Sequence, residues 1–178
     1  MKEYIILFRG INVGGKNIMP MKTLIPLLEQ ASFKEVSYYI QSGNVILKAL
    51  TDPYDAIKEI VSHNFNFSPE LFLIDKVEFS AVLSANPYNN TKEKYDGKFV
   101  HCYFCHNPIT LNQAKVDKYL AESESYTVKN TVLYLHAPDG IGRSKLVANI
   151  TACLNQSATG RNLNTMNKIS AILATHKT

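Results

Sequence analysis

Apolar positions repeat with two different periods along this chain, and each period marks a different kind of element. Glu3–Phe8 is a short apolar run ended by glycines, the pattern of a buried strand. Met21, Leu24, Leu27, Leu28 and Ala31 then fall at helical spacing behind Pro20, a residue suited to a first helical turn. Val36–Gln41 and Val45–Leu47 read as strands joined across Ser42-Gly43-Asn44. Asp52 is placed to cap a helix with Pro53 at its first position and Ala56, Ile57, Ile60 and Val61 on its apolar face. Glu70–Ile74 is a further strand. Asp75-Lys76-Val77-Glu78 has the form of a capping box opening a helix to about Ala85.

The polar, turn-rich stretch Asn86–Gly97 reads as a linker. Beyond it the order recurs. Lys98–Phe104 is a strand, Thr110 with Gln113 opens a helix to about Ala121, and Ser125–Val128 with Thr131–Leu135 forms a hairpin across Lys129-Asn130. Leu146, Val147, Ile150 and Leu154 share one helix face. A last helix carries Met166, Ile169, Ile172 and Leu173. Strand-helix-strand-strand-helix therefore appears twice, with a further strand closing the first copy. This is the split βαβ order of ferredoxin-like folds. The expected fold is α+β, with two tandem ferredoxin-like subdomains of mostly antiparallel sheet, residues 1–88 and 89–178.

That topology brings distant segments together. The first two strands run parallel with the third returning between them. The end of the first strand and the second-to-third hairpin therefore emerge at one sheet edge. The loop Arg9–Met19 is expected to meet Gln41-Ser42-Gly43-Asn44 at the start of the first helix, where backbone N–H groups attract anions.

The chain has sixteen lysines and only three arginines, Arg9, Arg143 and Arg161. Each arginine sits in a segment with glycine: FRGINVGGKNIM, DGIGRSKL and TGRNLNT. Arginine offers a planar fork of donors that lysine cannot copy. In the first segment Gly14 and Gly15 let a ligand approach the backbone. Arg9 and Lys16 supply charge, and Asn12, Asn17, Gln41, Ser42 and Asn44 supply directed hydrogen bonds. Arg143, Ser144 and Lys145 precede one helix, with Ser144 a capping candidate. Arg161, Asn162 and Asn164 precede another, where either asparagine can cap. Neither Gly-x4-Gly-Lys-Ser/Thr nor Gly-x-Gly-x-x-Gly is present.

The net charge of +4 tolerates an anionic partner without demanding one. Lys92, Lys94 and Lys98 are mixed with Glu93 and Asp96 and read as a solvated loop. No stretch reaches membrane-spanning length, and the N-terminal apolar run is too short for a signal segment, so the cytoplasm is the expected compartment. Cys102-Tyr103-Phe104-Cys105-His106 spells a haem-attachment string, but it overlaps a strand whose alternation puts the two thiols on opposite faces. His101 shares the Cys105 face, and two ligands do not make a zinc site. Neither a metal nor a cofactor is expected. His63, His136 and His176 stand alone, and a general base near the glycine loops is not evident.

The blocks FRGINVGGKNIMPMKTL, YYIQSGNVIL, DGIGRSKL and TGRNLNTMNKI resemble the signature of the bacterial domain-of-unknown-function family 1697. They appear in the family's order and span Tyr4 to about Leu173. At Gly160 the family usually has alanine, and at Leu163 tryptophan. The resemblance implies a cytoplasmic α+β protein of two ferredoxin-like halves and implies no reaction. Three readings follow. The first is a protein that binds a phosphate-bearing ligand, a nucleotide or a nucleic-acid backbone, at 9–17 and 41–44. The second is an enzyme acting on a small phosphorylated metabolite through Ser42 or Lys16. The third is a protein-interaction module.

Overall fold

The computed structural model describes residues 1–89 and 94–176. The chain divides into two units, Met1–Ala81 with Lys168–Thr178, and Val82–Asn167.

The first unit contains β1 (Lys2–Arg9), α1 (Met21–Gln30), β2 (Lys34–Tyr39), β3 (Asn44–Ala49), α2 (Tyr54–Phe65), β4 (Glu70–Asp75) and most of α3 (Lys76–Ala85). Its sheet has the order β2-β3-β1-β4, with every neighbouring pair antiparallel. Ile6, Phe8, Val45, Leu47 and Leu71 project from one sheet face into a core with Leu24 and Leu28 of α1 and Ile57 and Val61 of α2. Period 2 on the strands and period 3.6 on the helices thus converge on one apolar layer. Ile5, Leu7, Ile46, Phe72 and Ile74, alternating with these residues, are buried as well.

The second unit repeats the plan with β5 (Val100–Phe104), α4 (Gln113–Tyr119), β6 (Ser125–Lys129), β7 (Val132–His136), α5 (Lys145–Ala148), α6 (Ile150–Leu154) and β8 (Thr159–Asn162). Its sheet order, β6-β7-β5-β8, is the same and again antiparallel. Tyr103, Leu133 and Leu135 pack with Val116, Leu146 and Leu154. Helix α7 (Leu163–Thr175) is divided between the units at Lys168. The two-fold ferredoxin-like reading holds, and among the described residues no helix is long and apolar enough to cross a membrane.

Local details depart from the sequence expectations for identifiable reasons. The second copy also has a closing strand: β8 pairs with β5 from His101↔Asn162 to Phe104↔Thr159. Helix α4 is capped by Asn112, which accepts from the Lys115 N–H at 3.2 Å, and not by Thr110. Gln113 bonds forward to Asp117 instead of closing a capping box. The single helix expected through Leu146–Leu154 is broken at Asn149 into α5 and α6. Lys98 lies in a 3-10 turn over Gly97–Phe99, so β5 begins only at Val100. Pro53 is the residue before α2 and not its first, and Asp52 still accepts the Tyr54 N–H at 2.8 Å. Asp75 caps α3 by accepting the Glu78 N–H at 2.8 Å. Of the segment read as a linker, Asn86, Tyr88 and Gly97 are buried. Lys94, Asp96 and Lys98 are exposed, and Lys92 and Glu93 lie outside the described residues.

Gly160 is a packing device. A Cβ there would stand 2.5 Å from Cε1 of the buried Tyr103 ring. The tyrosine therefore occupies the space that an alanine side chain would need. Gly160→Ala should destabilise the protein by about 1–3 kcal/mol, the range for overpacking a filled core. Chemical denaturation would check this, and an unchanged midpoint would show that the ring moves aside freely.

Candidate functional site

The segment after β1 folds into a small hairpin of its own. The Lys16 N–H bonds the Val13 carbonyl at 3.0 Å and the Asn12 N–H bonds the Asn17 carbonyl at 3.1 Å. Gly14 and Gly15 form the turn with φ of 58° and 73°. Positive φ at both central residues is the geometry of two-residue hairpin turns, and it calls for glycine. Asn12 and Asn17 are left-handed too, which asparagine tolerates better than other side chains. Val13 through Ile18 are all exposed, between the buried anchors Ile11 and Met19. The result is a glycine-tipped finger standing on two apolar feet.

Side chains lock this finger to the β2–β3 hairpin. Asn12 Nδ2 donates to the carbonyls of Met19 (2.9 Å) and Gln41 (2.8 Å), while its Oδ1 accepts the Met19 N–H at 2.7 Å. Asn17 Nδ2 donates to the Gly10 carbonyl at 2.9 Å. Gln41 Oε1 accepts the Met21 N–H at 3.1 Å, so the hairpin caps the start of α1, where Pro20 offers no side-chain cap. The fully buried Asn44 donates to the Tyr39 carbonyl and to Ser42 Oγ. The Phe8 N–H bonds the Gly43 carbonyl at 2.9 Å, joining the end of β1 to the hairpin turn. The two segments that topology placed at one edge are thus in direct contact.

Arg9 is aimed elsewhere. Its register partner on β4 is Glu70, and its Nη1 donates to Glu70 Oε2 at 2.7 Å. An exposed pair of this kind adds little stability, but it holds the guanidinium across the strand end. Lys16, by contrast, is exposed on the finger with no ion pair among the described residues. Gly14 and Gly15 donate no backbone hydrogen bond among the described residues, and a Cβ on either would meet no atom within 4 Å. The finger therefore presents one ammonium and two N–H groups to open space.

The other two arginine segments belong to the second unit. Arg143 is exposed in a 3-10 turn over Ile141–Arg143. Ser144 is buried and accepts the Val147 N–H at 3.1 Å as the cap of α5, with Lys145 exposed beside it. Arg161 lies in β8, buried, donating from Nη1 to Thr159 Oγ1 and the Gly160 carbonyl, both at 2.8 Å. Burial lowers its pKa to about 10, which leaves it charged at neutral pH. Asn162 Oδ1 accepts the Thr165 N–H at 2.8 Å at the start of α7. Asn164 is exposed, with its Oδ1 against Gly97.

The thiols are placed for packing. Cys105 belongs to the helix-covered core of the second unit, while Cys102, three residues before it, contacts Asn86. Burial raises Cys102 to about 12 and Cys105 to about 11, so both are protonated and weakly reactive. Among the described residues no three His, Cys, Asp or Glu side chains are placed to hold a metal ion.

Sequence reasoning did not single out Val13, Ile18 and Ile40, three exposed aliphatic side chains around the Asn12 hydrogen-bond hub. Val13 follows Asn12, Ile18 precedes Met19 and Ile40 precedes Gln41. Ile40 has φ of 55°, a strained conformation for a β-branched residue. An apolar residue beside a glycine turn gives no sign in sequence of whether it points inward or outward.

No curated protein matches the chain. Among solved structures, it is similar to a conserved bacterial protein, SP0830 from Streptococcus pneumoniae. The TM-score is 0.72 at 22% identity, with 97% of this chain and 98% of that chain covered, a likeness of fold. The family described as protein of unknown function (DUF1697) matches residues 1–134, and the chain belongs to that family.

Proposed function

We propose that this is a binding protein whose glycine finger recognises a phosphate-bearing ligand. The observation that carries the reading is the finger's rigidity combined with its unused donors. Asn12, Asn17 and Gln41 are committed to holding the backbone, while Lys16 and the N–H groups of Gly14 and Gly15 face solvent. Backbone N–H groups held in place beside a cation suit phosphate oxygens, and no ordering of the loop is needed when the ligand arrives. In this reading Arg9 is held by Glu70 and contributes no free charge, and Ser42 and Asn44 support the turn. A catalytic lysine is tuned by burial; the exposure of Lys16 favours binding over catalysis.

A thermal-shift panel tests this with inorganic phosphate, a sugar phosphate, a nucleotide and a short oligonucleotide at two salt concentrations. Ligand binding to the folded state raises Tm. The expected result is a rise with a phosphate compound that Lys16→Ala removes without lowering the ligand-free Tm. A rise that falls steeply with salt would assign the ligand to a nucleic-acid backbone. If every compound leaves Tm unchanged, the finger does not bind phosphate.

A further inference from the structure

The finger and a groove in the same unit are complementary and lie beyond each other's reach within one chain. The groove measures about 440 Å³ and is lined by Ala31, Ala56, Glu59, Ile60, His63 and Asn64. It opens where α1 ends and along α2. Its two exposed alanines and the half-buried Ile60 supply apolar surface beside the exposed His63 and Asn64, and Glu59 is exposed with no ion pair among the described residues. The finger offers the converse: the aliphatic tips Val13 and Ile18 on either side of the unpaired ammonium of Lys16. The finger precedes the first residue of α1 and the groove begins just after its last. Ten helical residues separate them by about 15 Å at ~1.5 Å per residue.

We infer that copies of this chain associate head to tail, the finger of one seated in the α1–α2 groove of the next. Lys16 then meets Glu59 of the neighbouring copy while Val13 and Ile18 cover Ala31, Ala56 and Ile60. A heterologous contact of this type leaves one finger and one groove open at the ends, so it closes into a ring or extends as a chain. A single finger in a single groove is a small contact, so the association is weak and concentration-dependent. The locked finger backbone lowers the ordering cost that opposes it.

Sedimentation velocity in phosphate-free buffer over a wide concentration range tests the inference. Wild type should show a sedimentation coefficient that rises with concentration. Lys16→Glu and Glu59→Lys should each lose the rise. An equimolar mixture of the two variants should regain it, because the acidic finger of one meets the basic groove of the other. A monomer at every concentration, single variants that associate like wild type, or a mixture that stays monomeric would each overturn the inference. Glu59 is remote from the phosphate donors, so Glu59→Lys should retain the wild-type thermal response to phosphate compounds. The contact between copies and the binding of phosphate can therefore fail separately.

Discussion

Gly43→Ala should destabilise this protein more than any other single methyl group added to the candidate site. Gly43 has φ of 87°, and a Cβ there would lie 2.6 Å from Ile11 Cδ1 and 2.8 Å from Phe8 Cβ. The Ile11 tip can rotate, but Phe8 Cβ is fixed to a central strand. Backbone strain and overpacking each cost about 1–3 kcal/mol, and here they act together. A loss of about 3 kcal/mol or more is expected, read as a lowered urea midpoint with little change in slope. Gly14→Ala is the internal control. Its φ is also positive, but nothing lies within 4 Å of the new methyl, so only the conformational part of the cost remains. Because Ile11 is a foot of the finger and Gly43 bonds the end of β1, Gly43→Ala should also weaken any response to phosphate. If Gly43→Ala costs no more than Gly14→Ala, Ile11 and Phe8 do not pack tightly against this turn.

Acid should destabilise the fold through His101, well above the range where carboxylates titrate. His101 is buried on β5, its ring stacked near Tyr103, and its Nδ1 makes no aligned hydrogen bond. Burial lowers its pKa to about 4, against a weaker opposing effect of the Phe99 backbone. In the unfolded chain the same side chain titrates near 6.5. Above about 6.5 the imidazole is neutral in both states and contributes nothing. Between 6.5 and about 4 the unfolded chain takes up a proton that the folded protein excludes, so stability falls as pH falls. Below about 4 the loss is complete, at a magnitude on the order of 3 kcal/mol. Burial lowers the pKa of His136 as well, with Lys94 adding to the effect, and this contributes in the same direction. Unfolding free energies measured from pH 7 to pH 4 should decline for wild type. His101→Gln should flatten most of that decline relative to its own value at pH 7. An equally steep decline in the variant would place the acid sensitivity elsewhere.

The framework of the fold was legible because strands and helices announce themselves through apolar periodicity. The meeting of residues 9–17 with 41–44 followed from topology alone, since a split βαβ unit leaves little choice of where those loops emerge. β8 was hidden for a physical reason. Thr159-Gly160-Arg161-Asn162 has no apolar alternation, and its strand character comes from the ladder to β5. The break at Asn149 was likewise invisible, because the apolar residues on either side keep helical spacing. At the candidate site, sequence composition nominated glycine, asparagine and basic residues as one group. It did not divide them by task. Asn12 stabilises the finger from within, Arg9 pairs with a residue 61 positions away, and Lys16 has no ion pair among the described residues. Those roles depend on side-chain direction in three dimensions, which residue type does not encode.

In the proposed function, Gly14, Gly15 and Lys16 form a preorganised anion-binding tip. The most direct measurement is a titration of isotope-labelled protein with a nucleotide or sugar phosphate, following backbone amide resonances by NMR. Saturable shifts are expected at Gly14 and Gly15, with little change at residues of the second unit and loss of the effect in Lys16→Ala. Amide signals at the finger that stay fixed through the titration, or shifts centred on another segment, would contradict this reading.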